Sequence, residues 1–228
     1  MDIVIGFVAG YLWGGIPTAY LVARYQLGID IRKYGTGNVG ASNVIAHVGK
    51  KIGFALGLFD GFVKGTGPVV AVALLQGSDW AMVVTGLAAI AGHNWSPYIR
   101  FSGGRGVNTT GGVFLGFLLF PEFLMIIVVA GFWGGLVRKN SAMWLLLTML
   151  VTPVMAILLN RPDETVIMTV AALILLMAKR LVGNWQRPVE GEPLSRVLFY
   201  RLLFDRDIAS RDEWVFRRPH EPGETTEA

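Results

Sequence analysis

Cysteine is absent from this 228-residue chain, which excludes disulfides, thiolate nucleophiles and cysteine-based zinc sites together. Charge is scarce too: 16% of residues are Asp, Glu, Lys or Arg, against 53% hydrophobic. With a mean hydropathy of +0.53, this balance falls outside the soluble globular range. Histidine occurs only at His47, His93 and His220, and no His, Asp and Glu residues share a metal-ligand spacing, so neither a metal nor a cofactor is expected. A net charge of +4 is too modest to point to nucleic acid. Asp2 is the only early charge, so the first apolar run lacks the basic start of a cleaved leader.

What is present is a series of long uncharged runs. The segment from Ile3 to Ala23 is unbroken by charge, and at about 1.5 Å per residue it roughly spans a ~30 Å hydrocarbon core. About seven transmembrane helices are expected, over 3–24, 52–76, 80–99, 107–121, 123–137, 141–159 and 165–178, with short uncharged cores in the fourth, fifth and seventh. The fold class is therefore an all-α, polytopic membrane protein. One set of alternate loops carries Arg24, Arg32, Lys33, Lys50, Lys51, Arg100, Arg105, Arg138, Lys139, Lys179, Arg180 and Arg187, and the other set carries Arg161 alone. Short cytoplasmic loops collect Lys and Arg, so the N-terminus is expected outside and the C-terminus in the cytoplasm. Residues 1–187 form the membrane domain and 188–228 a cytoplasmic tail. Within the tail, Pro193–Phe204 mixes Leu194, Val197 and Leu198 with Arg196 and Arg201, which fits an interfacial amphipathic helix or a solvated segment equally. Asp205–Ala228 is expected to be mobile.

The expected second span carries Gly53, Gly57, Gly61 and Gly65 at four-residue spacing, a stripe that lets another backbone approach closely. Asp60 and Lys64 interrupt the same span one turn apart. They read either as a mutually neutralising pair or as a lysine lent to an anion site with Asp60 orienting it. Two inner loops are rich in glycine. Gly35–Asn43 packs three glycines, two hydroxyls and two amides into nine residues, a composition suited to an anion cradle of backbone N–H groups and equally to a capped turn. The loop Arg100–Thr110 adds two arginines and hydroxyls ahead of an apolar span, where a helix N-terminus and guanidinium groups favour phosphate. Basic loop residues with helix caps account for part of that pattern as well.

At this point the motifs resemble the bacterial acyl-phosphate:glycerol-3-phosphate acyltransferases, the PlsY family, over about residues 5–187. Gly10-Tyr11-Leu12-Trp13-Gly14-Gly15-Ile16-Pro17 is similar to the family's GYLxGSIP, and Asp30–Lys33 with Gly35–Asn43 to DIRxxGSGNxGATN. Gly49-Lys50 and Asp60 with Lys64-Gly65 look like its GK and DxxKG elements. Gly92–Pro97 followed by Phe101–Thr109 is similar to GHxFPxxxxFKGGKGVAT, and Asn184 with Arg187 to HRxNIxR. The resemblance implies a seven-span bacterial inner-membrane enzyme, multi-pass in the lipid bilayer, with a cytoplasmic active site. It would pass a fatty acyl group from acyl phosphate to the 1-hydroxyl of sn-glycerol 3-phosphate, giving lysophosphatidic acid. It implies Thr36, Asn38 and Arg105 at the reacting centre. It also implies Gly35, Gly37, Gly40, Ser42, Asn43, Lys64, Asn94, Ser102, Gly103, Gly104, Gly106, Thr109, Ser141 and Asn184 in contact with substrate.

An acyl phosphate is already activated, so positioning two anions and stabilising an oxyanion suffices, with no strong protein nucleophile. The acyltransferase class that uses HxxxxD as a base is not matched, because Ile52 and Tyr98 stand at the Asp positions after His47 and His93. His93 reads as a buried, hydrogen-bonded residue at a helix end. The chain departs from the family at Ala46 (for Arg), at Ser102 and Arg105 (for the two lysines of FKGGKG), at Trp144 (for Ser) and at Leu181 (for His). Loss of the Arg removes a charge-assisted bond of about 1.5–3 kcal/mol, which His47 or Arg32 would have to replace. These departures keep an alternative open: a non-catalytic relative binding an anionic lipid or phosphometabolite.

Overall fold

The computed structural model describes residues 2–218 apart from 187, 189 and 190. Arg187, His220 and the end of the tail therefore lie outside the described residues. The described chain is helical throughout: α1 (Ile3–Gly15), α2 (Thr18–Leu27), α3 (Ala41–His47), α4 (Lys50–Leu74), α5 (Asp79–Asn94), α6 (Val107–Gly116), α7 (Phe120–Val137), α8 (Ser141–Leu158), α9 (Asp163–Val182), α10 (Leu194–Phe204) and α11 (Arg211–Phe216).

Five helical segments are long and apolar enough to cross a membrane: Ile3–Leu27, Lys50–Leu74, Phe120–Val137, Ser141–Leu158 and Asp163–Trp185. Two expected spans are shorter. α5 has 16 residues, and α6 has 10 because the chain leaves the helix after Gly116 and turns through Leu118 at φ 57°. The expected seventh span is longer than its uncharged core suggested. Asp163 and Glu164 open it and Lys179 and Arg180 close it, signs that suit the helix dipole. Large apolar side chains face outward along the long helices, among them Val4, Ile5, Phe132, Leu136, Val154 and Leu158. This is the exterior expected of a bundle solvated by lipid.

Glycine sets the helix packing. A Cβ at Gly10, Gly14 or Gly92 would collide with the facing backbone of the α1–α5 pair, and one at Gly65 or Gly112 with that of the α4–α6 pair. The four-residue ladder thus does what its spacing predicts: Gly53 admits α3, while Gly61 and Gly65 admit α6. α4 opens into π-helical turns over Phe59–Thr66, the stretch that holds Asp60 and Lys64.

Pro17 interrupts the first span, because proline cannot donate the backbone bond that continuity requires. The freed carbonyls find other donors, Ser96 Oγ on Gly15 O at 2.5 Å and Lys64 Nζ on Ile16 O at 2.8 Å. On the opposite end of the bundle, Glu122 at the start of α7 is fully buried and paired with Arg161 at 3.1 Å.

The helix expected as one reading of Pro193–Phe204 is present as α10, while residues 205–218, expected to be mobile, pack on the bundle. α10 buries Val197 and Arg201 against the end of α9, and α11 packs on the first glycine loop. The reason is a buried ion pair, Arg201 with Asp207 at 2.7 Å, which turns the chain back after α10. Leu194, Leu198 and Phe199 on α10 remain exposed, so an apolar edge persists there.

Candidate functional site

The first glycine loop leaves α2 at Gly28 and is pinned at its entrance by Asp30 and Arg32, 2.7 Å apart. Hydrogen bonding from the Arg32 side chain holds the Asp30 carboxyl below the usual carboxylate range, and Asp30 raises Arg32 in return. Arg32 also donates to Ile99 O at 3.3 Å and lies 5.1 Å over the Tyr20 ring. These contacts tie it to the scaffold. His47 Nε2 is paired with Val215 O at 2.9 Å.

Past Arg32 the backbone takes positive φ at Gly35 and Gly37, 52° and 66°, where glycine avoids the strain a side chain would bring. Asn43 closes the turn from inside, its carboxamide nitrogen donating to Ile31 O, Tyr34 O and Asn38 O at 3.0–3.1 Å. Thr36 Oγ accepts from Asn38 N–H at 3.3 Å. Asn38 is buried and Gly40 opens α3. Ile31, Val39 and Val44 form the apolar floor beneath the loop.

The second loop runs from the end of α5 into α6. Gly104 N–H donates to His93 O at 2.9 Å, and a Cβ at Gly104 would overlap the His93 ring, so the close approach itself demands glycine. Gly106, at φ 72°, directs the chain into α6. Three N–H groups in the first turn of such a helix have no intrahelical acceptor. Ser102 holds the turn through its carbonyl, which accepts from Ser96 N–H at 3.0 Å.

Asn184, at the end of α9 and itself left-handed with φ 59°, joins the two loops. Its Oδ1 accepts from Gly103 N–H at 3.0 Å, and its Nδ2 donates to Gly103 O at 2.9 Å and Gly37 O at 3.0 Å. Val39 N–H adds a direct bond to Gly103 O at 3.1 Å. Lys179, one and a half turns earlier on α9, is fully buried and donates to Asn94 O and to Asn184 Oδ1.

Several buried polar atoms on the two loops and on the helix ends beside them have no protein partner. Asn38 Oδ1, Asn43 Oδ1, Asn94 Oδ1, Arg105 Nη1, Thr109 Oγ and Thr110 Oγ are six of the nine buried side-chain atoms left unpaired among the described residues. Leaving a buried polar group unsatisfied costs about 1–3 kcal/mol, a cost that water, an ion or a ligand relieves. Arg105 supplies a guanidinium suited to phosphate, and Lys179 Nζ adds a further donor beside Asn184. Two apolar grooves lie elsewhere. One of about 470 Å³ is lined by Ile16, Pro17, Tyr20, Leu21, Tyr98 and Ile99, and one of about 410 Å³ by Thr18, Val22, Ile52, Ala55, Leu56 and Phe59.

Most of the residues singled out in the sequence lie on the segments that meet at this junction: Gly35, Thr36, Gly37, Asn38, Gly40 and Asn43 from one loop, Ser102–Gly106 from the other, with Asn94 and Asn184, whereas Thr109 lies in the first turn of α6 with its carbonyl against Gly65 of α4. Three others do not join it. Lys64 spends its donors on Asp60 at 3.1 Å, Ile16 O at 2.8 Å and His93 Nδ1 at 3.2 Å. Those three neighbours surround the ammonium, an arrangement that favours the pairing reading. Ser42 is exposed on the first turn of α3. Ser141 is exposed at the start of α8, with no side-chain bond to either loop among the described residues.

Sequence reasoning missed Lys179, counting it only as a cytoplasmic basic residue. A signal was available: Met168, Ala172, Leu176 and Lys179 fall on one helical stripe, and all four are buried. Asp205 and Arg217 were missed as well. Asp205 accepts from Arg105 Nε at 2.6 Å, and Arg217 donates to Gly35 O.

The family model described as glycerol-3-phosphate acyltransferase matches residues 4–191. Glycerol-3-phosphate acyltransferase 5 of Dehalococcoides mccartyi strain 195 is 37% identical over 220 residues, covering 94% of this chain and 93% of that protein. Glycerol-3-phosphate acyltransferase 4 of strain CBDB1 is 39% identical, with 92% and 91% covered. Among solved structures, the glycerol 3-phosphate form of PlsY (YgiH), an integral membrane glycerol 3-phosphate acyltransferase, superposes with a TM-score of 0.69 at 27% identity, covering 78% of this chain and 88% of that one. Its lysophosphatidic acid form gives 0.68 at 26%, covering 86% and 98%.

Proposed function

Because the chain belongs to the glycerol-3-phosphate acyltransferase family, we propose that it moves a fatty acyl group from acyl phosphate to the 1-hydroxyl of sn-glycerol 3-phosphate, releasing lysophosphatidic acid. It is a multi-pass membrane enzyme. The observation that carries the reading is the Asn184 junction, which ties together the two glycine loops that carry Asn38 and Arg105, each with a buried polar atom left unpaired.

Two phosphoryl groups held side by side bring the glycerol oxygen against the acyl carbonyl, and that alignment removes much of the entropic barrier. The glycerol oxygen bonds to the acyl carbon, the bond from that carbon to the phosphate oxygen breaks, and phosphate departs with the hydroxyl proton. Arg105 Nη1 and the free N–H groups opening α6 suit the charge that develops. The donor phosphate is the proton acceptor in this scheme. Two facts favour it: His47 is occupied by Val215 O, and His93 is sealed against Lys64. Thr36 shapes the centre through Asn38.

In the bilayer the proposal extends to seven crossings, α5 and α6 completing the five long segments, with the N-terminus outside and the loops at the cytoplasmic face of a bacterial inner membrane. The Lys and Arg asymmetry of the loops supports this orientation. Purified protein in nanodiscs, given acyl phosphate and radiolabelled glycerol 3-phosphate, is expected to form labelled lysophosphatidic acid. Arg105→Ala and Asn38→Ala should each lose roughly 10²-fold or more in kcat, the scale for one oxyanion-stabilising donor. Tight binding of the phosphate ester without product would overturn the assignment.

A further inference from the structure

The residues matched by the family model end at 191, yet the chain beyond that point touches both glycine loops. Gly35 N–H donates to Arg217 O at 2.8 Å, and the Arg217 guanidinium returns a bond to Gly35 O while also holding Gln186 Oε1 at 2.9 Å. At the second loop, Asp205 Oδ1 accepts from Arg105 Nε at 2.6 Å.

Asp205 is held firmly. Its N–H closes α10 on Arg201 O at 3.1 Å. Arg201 is anchored to Leu181 O and Gln186 O, each at 3.0 Å, and to Asp207. Arg180 grips Leu202 O at 2.8 Å. The carboxylate therefore stands at the end of a braced helix rather than on a loose strand.

It takes only Nε, the inner nitrogen of the guanidinium, and Nη1 is left buried without a partner. A planar guanidinium held at Nε has its fork direction set, because the five donors keep a rigid geometry. We propose that Asp205 is a positioning residue for acyl transfer: it fixes the Arg105 guanidinium so that Nη1 faces the substrate phosphoryl group. The C-terminal segment thereby completes the substrate site from beyond the family-wide domain. The inference rests on the acyl transfer proposed above.

The test is a double-mutant cycle on the full chain in nanodiscs, with acyl phosphate and glycerol 3-phosphate as substrates. Asp205→Asn is expected to lower kcat at least tenfold with thermal unfolding little changed, and Asp205→Glu to recover part of the loss. Arg105→Lys has no Nε fork to orient, so Asp205→Asn should add nothing in that background. An equal loss in both backgrounds would mean that Asp205 merely docks the tail, and unchanged or faster turnover in Asp205→Asn would mean that it competes with substrate. Either result overturns the proposal. If Asp205→Asn fails to fold, Asp205→Glu carries the cycle on the same criterion. Absence of product from the unaltered protein would instead defeat the acyl-transfer reading, so the two failures are distinguishable.

Discussion

Asn184 and Gly103 exchange two hydrogen bonds, Gly103 N–H to Oδ1 at 3.0 Å and Nδ2 to Gly103 O at 2.9 Å. One carboxamide thus satisfies both backbone groups of a loop glycine, as a neighbouring strand would. Its reach to Gly37 O makes the same side chain the fastener between the two loops.

Asn184→Asp should be damaging despite its nearly identical shape, though less so than Asn184→Ala, because Oδ1 keeps Gly103 N–H and Lys179 Nζ. A carboxylate donates nothing, so Gly37 O loses its donor while Gly103 O keeps only the Val39 N–H. A stranded buried acceptor costs about 1–3 kcal/mol. Thermal unfolding and lysophosphatidic acid formation should both fall, and an active, stable Asp variant would refute the fastening role.

Arg105→Lys separates charge from geometry. A lysine keeps the positive charge but cannot contact Asp205 and a phosphate in one plane. Removal of a charge-assisted bond of about 1.5–3 kcal/mol predicts a roughly 10- to 150-fold loss in kcat/KM. Steady-state kinetics in glycerol 3-phosphate reads it directly.

Lys179→Met is expected to split stability from activity. Lys179 is fully buried and its hydrogen bonds go to neutral oxygens of Asn94 and Asn184, with no carboxylate bound to it among the described residues. Burying an ammonium without a counter-ion is costly, and an apolar side chain of similar length removes that cost. The unfolding midpoint should hold or rise while turnover drops at least tenfold, and retained activity would remove Lys179 from the site.

Asp60→Asn should destabilise the bundle by about 3–5 kcal/mol, because it strands the Lys64 ammonium inside the helices. Asp60→Leu combined with Lys64→Met should cost much less than either change alone, since no charge is then left unpaired. Unfolding in detergent and yield in membranes measure both. If the double variant is no better than the single ones, the pair does more than neutralise itself.

Much of this protein is readable from local pattern. The glycine ladder of α4 meets α3 and α6 as its spacing predicts, because a missing side chain acts wherever it stands. Lys64 shows the limit of that reading. Its i,i+4 relation to Asp60 was visible, but the choice between pair and ligand depended on Ile16 O and on His93, which reach it from other helices. The tail misled for a related reason. Arg201 and Asp207 look like solvated charges until they are seen to satisfy each other in a buried turn.

The sequence by itself determined the helical membrane architecture and the two polar loops, because transfer into lipid and backbone freedom at glycine are properties of short stretches of chain. Tertiary structure alone decided which polar groups meet. Gly37 and Asn184 are 147 residues apart and Arg105 and Asp205 are 100 apart, so nothing in the spacing of either pair foretells the bond. Each donor takes the nearest acceptor the packed helices leave open, and that is known only once every helix has its place.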